Sequence, residues 1–78
     1  MRPYTEKQGQ YLAFIYYYAK LNNRAPAEAD FQRYFGVSPS AVHQMILNLE
    51  KQRFIERVPR QSRSIRLLLC REEIVDLN

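Results

Sequence analysis

Tryptophan is missing from this chain of 78 residues, cysteine and histidine occur once each, and glycine occurs twice. Each scarcity excludes something. A lone Cys70 cannot build an internal disulfide framework, and with His43 it falls short of the about four ligands a structural zinc site needs. Nucleophilic catalysis at Cys70 would call for a further histidine as base or a second cysteine to resolve it, and the sequence has neither. Gly9 and Gly36 are too few for a Gly-rich phosphate loop. Glu72-Glu73 stands as a solvated pair, because a chain this short hides only about 60% of its surface and leaves little room for a pocket. No apolar run approaches the ~20 residues of a bilayer span, and no signal core follows Met1-Arg2-Pro3-Tyr4. The expectation is a soluble, cytoplasmic, non-enzymatic protein without cofactor, metal or small-molecule ligand.

What is present is ordinary globular composition, 46% hydrophobic and 26% charged, enough for one domain. Twelve Lys and Arg against eight Asp and Glu give a net charge of +4. The excess is concentrated: Lys51, Arg53, Arg57, Arg60, Arg63 and Arg66 share their stretch with a single acid, Glu56. The chain then closes on Glu72, Glu73 and Asp76 without a base among its last seven residues. A basic segment inside a small domain suits a polyanionic partner, and equally a solvated hairpin.

Thr5 and Gln8 form a Thr-x-x-Gln capping box, opening a helix predicted from about Glu6 to Asn22. Gln8, Tyr11, Leu12, Ile15, Tyr18 and Ala19 share one face of it. Asn22-Asn23 and Pro26 end it. A second helix is expected from about Ala27 to Phe35, with Phe31, Tyr34 and Phe35 as its apolar stripe and Glu28 and Asp30 complementing its dipole. Ala27 is a poor N-cap for it. Gly36 supplies the turn, and Ser38-Pro39 has the N-cap and N1 chemistry of a third helix running to about Gln52. Val42, Met45, Ile46 and Leu49 face inward; Ser40, His43, Gln44, Leu47, Asn48 and Lys51 face outward. Residues 54–58 and 64–69 read as strands around the polar tip Pro59-Arg60-Gln61-Ser62-Arg63. The fold class is therefore mainly α with a small β-hairpin, a three-helix winged helix-turn-helix, with the domain at residues 1–69 and an acidic tail at 70–78.

Several segments carry a resemblance by their order and spacing: Thr5-Glu6-Lys7-Gln8, Pro26-Ala27-Glu28-Ala29-Asp30-Phe31, Phe35-Gly36-Val37, Ser38-Pro39-Ser40-Ala41, Phe54-Ile55-Glu56 and Ser62-Arg63-Ser64-Ile65-Arg66-Leu67-Leu68. From Tyr4 to Leu68 the sequence resembles the DNA-binding domain of the LexA repressor family. It departs from that family in four ways. The loop before Ser38-Pro39 is one residue shorter, Arg53 and Asn23 stand where the family usually has glycine, and His43-Gln44 replaces a frequent acidic pair. The self-cleaving Ser-Lys protease half is not in the sequence. The resemblance thus implies DNA binding and not proteolysis.

The partner so implied is double-stranded DNA. By family position, Ser38, Ser40, Ala41, His43 and Gln44 are the first candidates for contact. Helix amides and hydroxyls at Ser38 and Ser40 suit a phosphate, and Ala41 is small enough to approach a thymine methyl. Gln44 and Asn48 have the amide geometry that pairs with adenine, Asn48 on geometry alone; both serve equally well as ordinary surface amides. Lys51, Arg60 and Arg63 are the expected phosphate partners, with Gln61 and Ser62 as neutral donors on the wing.

Tyr16-Tyr17-Tyr18 spans about 200° of the first helix and cannot all enter a core. Tyr17 is expected to point outward beside Gln10 and Ala13, with Phe14 bordering the patch. Phe14 and Tyr17 are therefore candidates for a homodimer contact that would set two recognition helices ~34 Å apart. Two alternatives stay open: a winged-helix module for protein contacts through the aromatic surface of the first helix, and an RNA-binding winged helix.

Overall fold

Both reciprocal bonds of the capping box form: Thr5 Oγ1 accepts from the Gln8 amide at 3.1 Å and Gln8 Oε1 accepts from the Thr5 amide at 2.9 Å. They open α1 (Glu6–Asn22), which Asn23 closes in a left-handed conformation, φ 57°. The computed structural model describes residues 3–78; Met1 and Arg2, the first residues of the expected domain, lie outside them. Helix α2 (Glu28–Phe35) starts one residue later than expected, with Ala27 as its cap. Alanine has no side-chain acceptor, and the Asp30 carboxylate takes the Ala27 amide from within the helix instead, at 2.8 Å. Gly36, at φ 64°, ends α2 with its amide on the Gln32 carbonyl. Helix α3 (Pro39–Lys51) begins as Ser38-Pro39 dictates, the Ser38 hydroxyl accepting from the Ala41 amide at 3.1 Å.

The hairpin is shorter than its apolar runs imply. Strands β1 (Ile55–Glu56) and β2 (Arg66–Leu67) pair antiparallel, Ile55 opposite Leu67 and Glu56 opposite Arg66. Arg57 and Arg66 are both ion-paired, Arg57 to Glu50 and Arg66 to Glu56.

The core lies where α1 crosses α2 and α3, on Tyr11, Leu12, Phe31, Val42, Ile46, Leu49 and Ile55. Tyr11 stacks on Phe35 (centroids 4.5 Å apart, 2° between planes) and on Phe31 (5.4 Å, 15°). Such offset pairs contribute ~0.5–1.5 kcal/mol beyond their buried area.

The far side of α1 departs from expectation. Phe14, placed on an exposed dimer patch, is only 6% exposed, and its ring lies 4.9 Å from both Phe31 and Tyr34. Ala13 is fully buried and Tyr17 half-buried. Rings of α2 enclose Phe14, and the chain's own end packs on a neighbouring part of α1. Residues 70–78 are not an appendage outside the domain: after a single 3-10 turn (Arg71–Glu73) they cross α1 as a strap, burying Ile74 to 6% exposure. Tyr4 donates its hydroxyl to the Glu73 carbonyl, Gln10 bonds the Asp76 carbonyl at 3.0 Å and the Asn78 amide at 2.9 Å, and Tyr34 donates to the Asn78 carbonyl. Gly9 lets the strap approach, since a Cβ there would lie 2.8 Å from the Tyr4 ring and 3.3 Å from Val75. The folded unit therefore extends from Tyr4 to Asn78. Among the described residues no helix is long and apolar enough to cross a membrane.

Candidate nucleic-acid interface

With Val42, Ile46 and Leu49 committed to the core, the helical period turns the opposite face of α3 to solvent. Ser38, Ser40, Ala41, His43, Gln44, Asn48 and Lys51 are all exposed, as their spacing predicts. Ala41, Gln44, Asn48 and Lys51 border one shallow hollow together with Met45 and Leu47. Leu47, the apolar interruption in an otherwise polar face, thus lies beside the amides.

The ridge is free of unpaired carboxylate. Glu50, the only acid within α3, accepts from Arg57 Nε at 3.1 Å, which also ties the end of the helix to the hairpin. Glu28, at the start of α2, lies 3.3 Å from His43 Nδ1. His43 is therefore turned toward α2, while Gln44 faces outward. Asn48 Oδ1 accepts from Gln52 Nε2 at 2.7 Å, a bond that must open before Asn48 can pair with adenine through both amide atoms. The acidic strap bonds Tyr4, Gln10 and Tyr34, on the other side of α1.

The wing tip divides its expected contact residues. Arg60, Gln61 and Ser62 are exposed, Arg60 in a left-handed turn at φ 66°. Arg63 is only partly exposed. Its guanidinium is drawn inward, with Nη1 3.0 Å from Asp30 Oδ2, 3.2 Å from the Tyr18 hydroxyl and 3.2 Å from the Ala25 carbonyl. An arginine in a basic loop looks like a phosphate ligand in sequence; this one is already coordinated by three acceptors of its own protein. The residue missed in sequence is its partner Asp30, whose place in the first turn of α2 signals only dipole complementation.

Burial works to raise the Asp30 pKa, and the Ala27 amide, Arg63, Arg33 and the Tyr18 hydroxyl together overcome it and hold it below the ordinary carboxylate range. A lowered native pKa stabilises the fold fully above the unfolded value of ~3.9 and is lost as pH falls through the lower native value. The melting temperatures of wild type and Asp30→Asn should therefore differ at neutral pH and converge below about pH 4. A gap that stays constant to pH 2 would contradict this.

This chain is matched by the family model "LexA DNA binding domain" over residues 1–64. It is 37% identical over 75 residues to the LexA repressor of Thermosipho melanesiensis, covering 96% of this chain and 38% of that protein. The LexA repressors of Thermosipho africanus and Petrotoga mobilis are 37% and 38% identical, over 68 and 69 residues. Those matches cover 87% of this chain and 34% and 33% of the relatives. The chain thus spans little more than a third of the curated relatives it matches. Three helices and a hairpin, an exposed third helix and a match that reaches into the wing loop agree on one assignment: the chain belongs to the LexA DNA-binding domain family.

Proposed function

We propose that this protein is a sequence-specific double-stranded DNA-binding transcriptional regulator of the repressor type, working in the cytoplasm. Helix α3 enters the major groove and the wing lies along the backbone. The observation that carries this reading is the outer face of α3: exposed, amide-bearing, without a free carboxylate, and continued by Arg60 on the wing. Ser38, Ser40 and the amides of the first turn meet phosphate, and Ala41, Gln44, Leu47 and Asn48 meet base edges. Catalysis has no part in this activity.

Selection from a random duplex library tests it. Enrichment of one motif is the expected result, and an unselected pool would overturn sequence-specific reading. Two inverted half-sites about one turn, ~34 Å, apart would mean that two copies bind together. We place the contact between copies at Tyr17, half-buried beside Leu21, with Phe14 supporting it from beneath. With Lys51, Arg53 and Arg60 as the free cations near the groove, about three phosphates are neutralised, and the log–log salt slope should be near −2.7 per subunit. The alternative, a protein-contact module using the aromatic surface of α1, is weakened by the burial of Phe14 and by the strap bonded to Gln10.

A further inference from the structure

Ile65, 9% exposed in the core, and the Arg57–Glu50 pair seat the base of the wing, and little else holds the rest of it. Its ladder is two residues long on each side, and a two-stranded hairpin in water is marginal by itself. Its loop contains two left-handed arginines, Arg60 at φ 66° and Arg63 at φ 55°, in a conformation that L-residues rarely adopt. Ser64 shapes the loop locally: its hydroxyl accepts from the Val58 amide at 3.0 Å and lies 2.8 Å from the Gln61 carbonyl. None of this decides the direction in which the loop leaves the body of the domain. Arg63 does. Its three acceptors come from three different places: Tyr18 on α1, Ala25 in the α1–α2 connection, and Asp30 in the first turn of α2. Asp30 is 5% exposed, and the Arg63 side chain is 32% exposed.

We propose that the Arg63–Asp30 pair is the anchor that fixes the wing over the DNA backbone, so that Arg63 is a positioning residue acting through Arg60 and makes no phosphate contact itself. This rests on the DNA-binding reading above. Arg63→Met removes the anchor without leaving the Asp30 carboxylate unpartnered, because it keeps the Ala27 amide and Arg33.

Two substitutions separate the anchor from a phosphate ligand by the sign of their effects. If Arg63 is the anchor, Arg63→Met and Asp30→Asn both weaken duplex binding, roughly tenfold for one lost element of preorganisation. Both also make the salt slope shallower by about 0.9, because Arg60 no longer reaches its phosphate. In an Arg60→Ala background, Arg63→Met should then add less than about twofold, the non-additivity expected of residues in one chain of action. A phosphate-binding Arg63 predicts the reverse for Asp30→Asn: the freed guanidinium binds as tightly or more tightly, with an equal or steeper slope. That result would overturn the proposal. So would loss of thermal stability with affinity and slope unchanged, which is what a merely structural pair would give.

Hydrogen exchange of the Gln61 amide in the DNA-free protein provides an arm independent of DNA. Its bond to the Val58 carbonyl, 3.2 Å long, should open more readily in both variants. Faster exchange supports the anchor even if the wild type fails to bind any duplex, a failure that would strike the functional reading alone. Unchanged exchange overturns the anchor.

Discussion

Ala41→Glu is expected to abolish tight duplex binding while leaving the domain at least as stable as the wild type. Ala41 is exposed in the first turn of α3 and borders the hollow shared with Gln44, Asn48 and Lys51. Only a methyl group occupies that place, and a carboxylate there would face phosphates and base acceptors at close range. Like charges brought together across an interface cost several kcal/mol, so the affinity should fall at least about 100-fold. Stability should move the other way. The first turn of α3 has no acidic residue, and one placed there gains ~0.3–1 kcal/mol from the helix dipole. Ala41→Gln, equal in size and uncharged, separates charge from bulk. Thermal melts and anisotropy titrations of the three proteins read both effects. A Glu variant that binds within threefold of wild type would remove α3 from the groove.

Ile74→Ala should be the most damaging conservative change in the last nine residues. Were the acidic end of the chain solvated, as its composition implies, truncating one side chain there would change stability by no more than about 0.5 kcal/mol. Ile74 is instead nearly fully buried in the seam between strap and α1. Removing a buried isoleucine to alanine costs ~2–5 kcal/mol, and a seam near the surface, able to collapse in part, places the cost at about 2–3 kcal/mol. For a domain of this size each kcal/mol lowers the melting temperature by about 4–8 °C, so a drop of 10 °C or more is expected. Glu72→Ala, at an exposed position of the same segment, serves as the control and should have almost no effect.

These two sites also show what could be read from sequence and what could not. Ala41 follows from local chemistry: Ser38-Pro39 sets the start of a helix, the period sets its faces, and every outward residue expected on α3 is outward. The capping box at Thr5 and Gln8 and the stop at Asn23 are legible for the same reason, since each is satisfied within four residues of itself. Ile74 is not local. Its partner is a helix face more than fifty residues upstream, and Glu72, Glu73 and Asp76 around it advertise solvent because they do face it. Phe14 was misplaced for a matching reason: the helical wheel puts it at the edge of a face, and only Phe31, Phe35 and Tyr34 of α2 bring it inside. Arg60 and Arg63 are chemically identical in a list of residues. Both have left-handed backbone, and what separates them is that Arg63 alone lies within reach of Asp30, Tyr18 and the Ala25 carbonyl. Arg53 and Asn23, where the related family favours glycine, both have positive φ, so the departure seen in sequence marks real backbone demands met by other residues.

The strap joins residue 4 to residue 73 and residue 10 to residue 78, nearly the widest separations the chain allows. Closing a loop that long carries an entropy cost that grows with the logarithm of its length, and inside the strap only the single 3-10 turn forms locally to offset it before docking. Assembly is therefore ordered: helices first, hairpin next, the two chain ends meeting last. Reversal runs from the same end, so the earliest fluctuation on the way to unfolding lifts the strap and wets Ile74 and the Gly9 face of α1 while the recognition face stays intact.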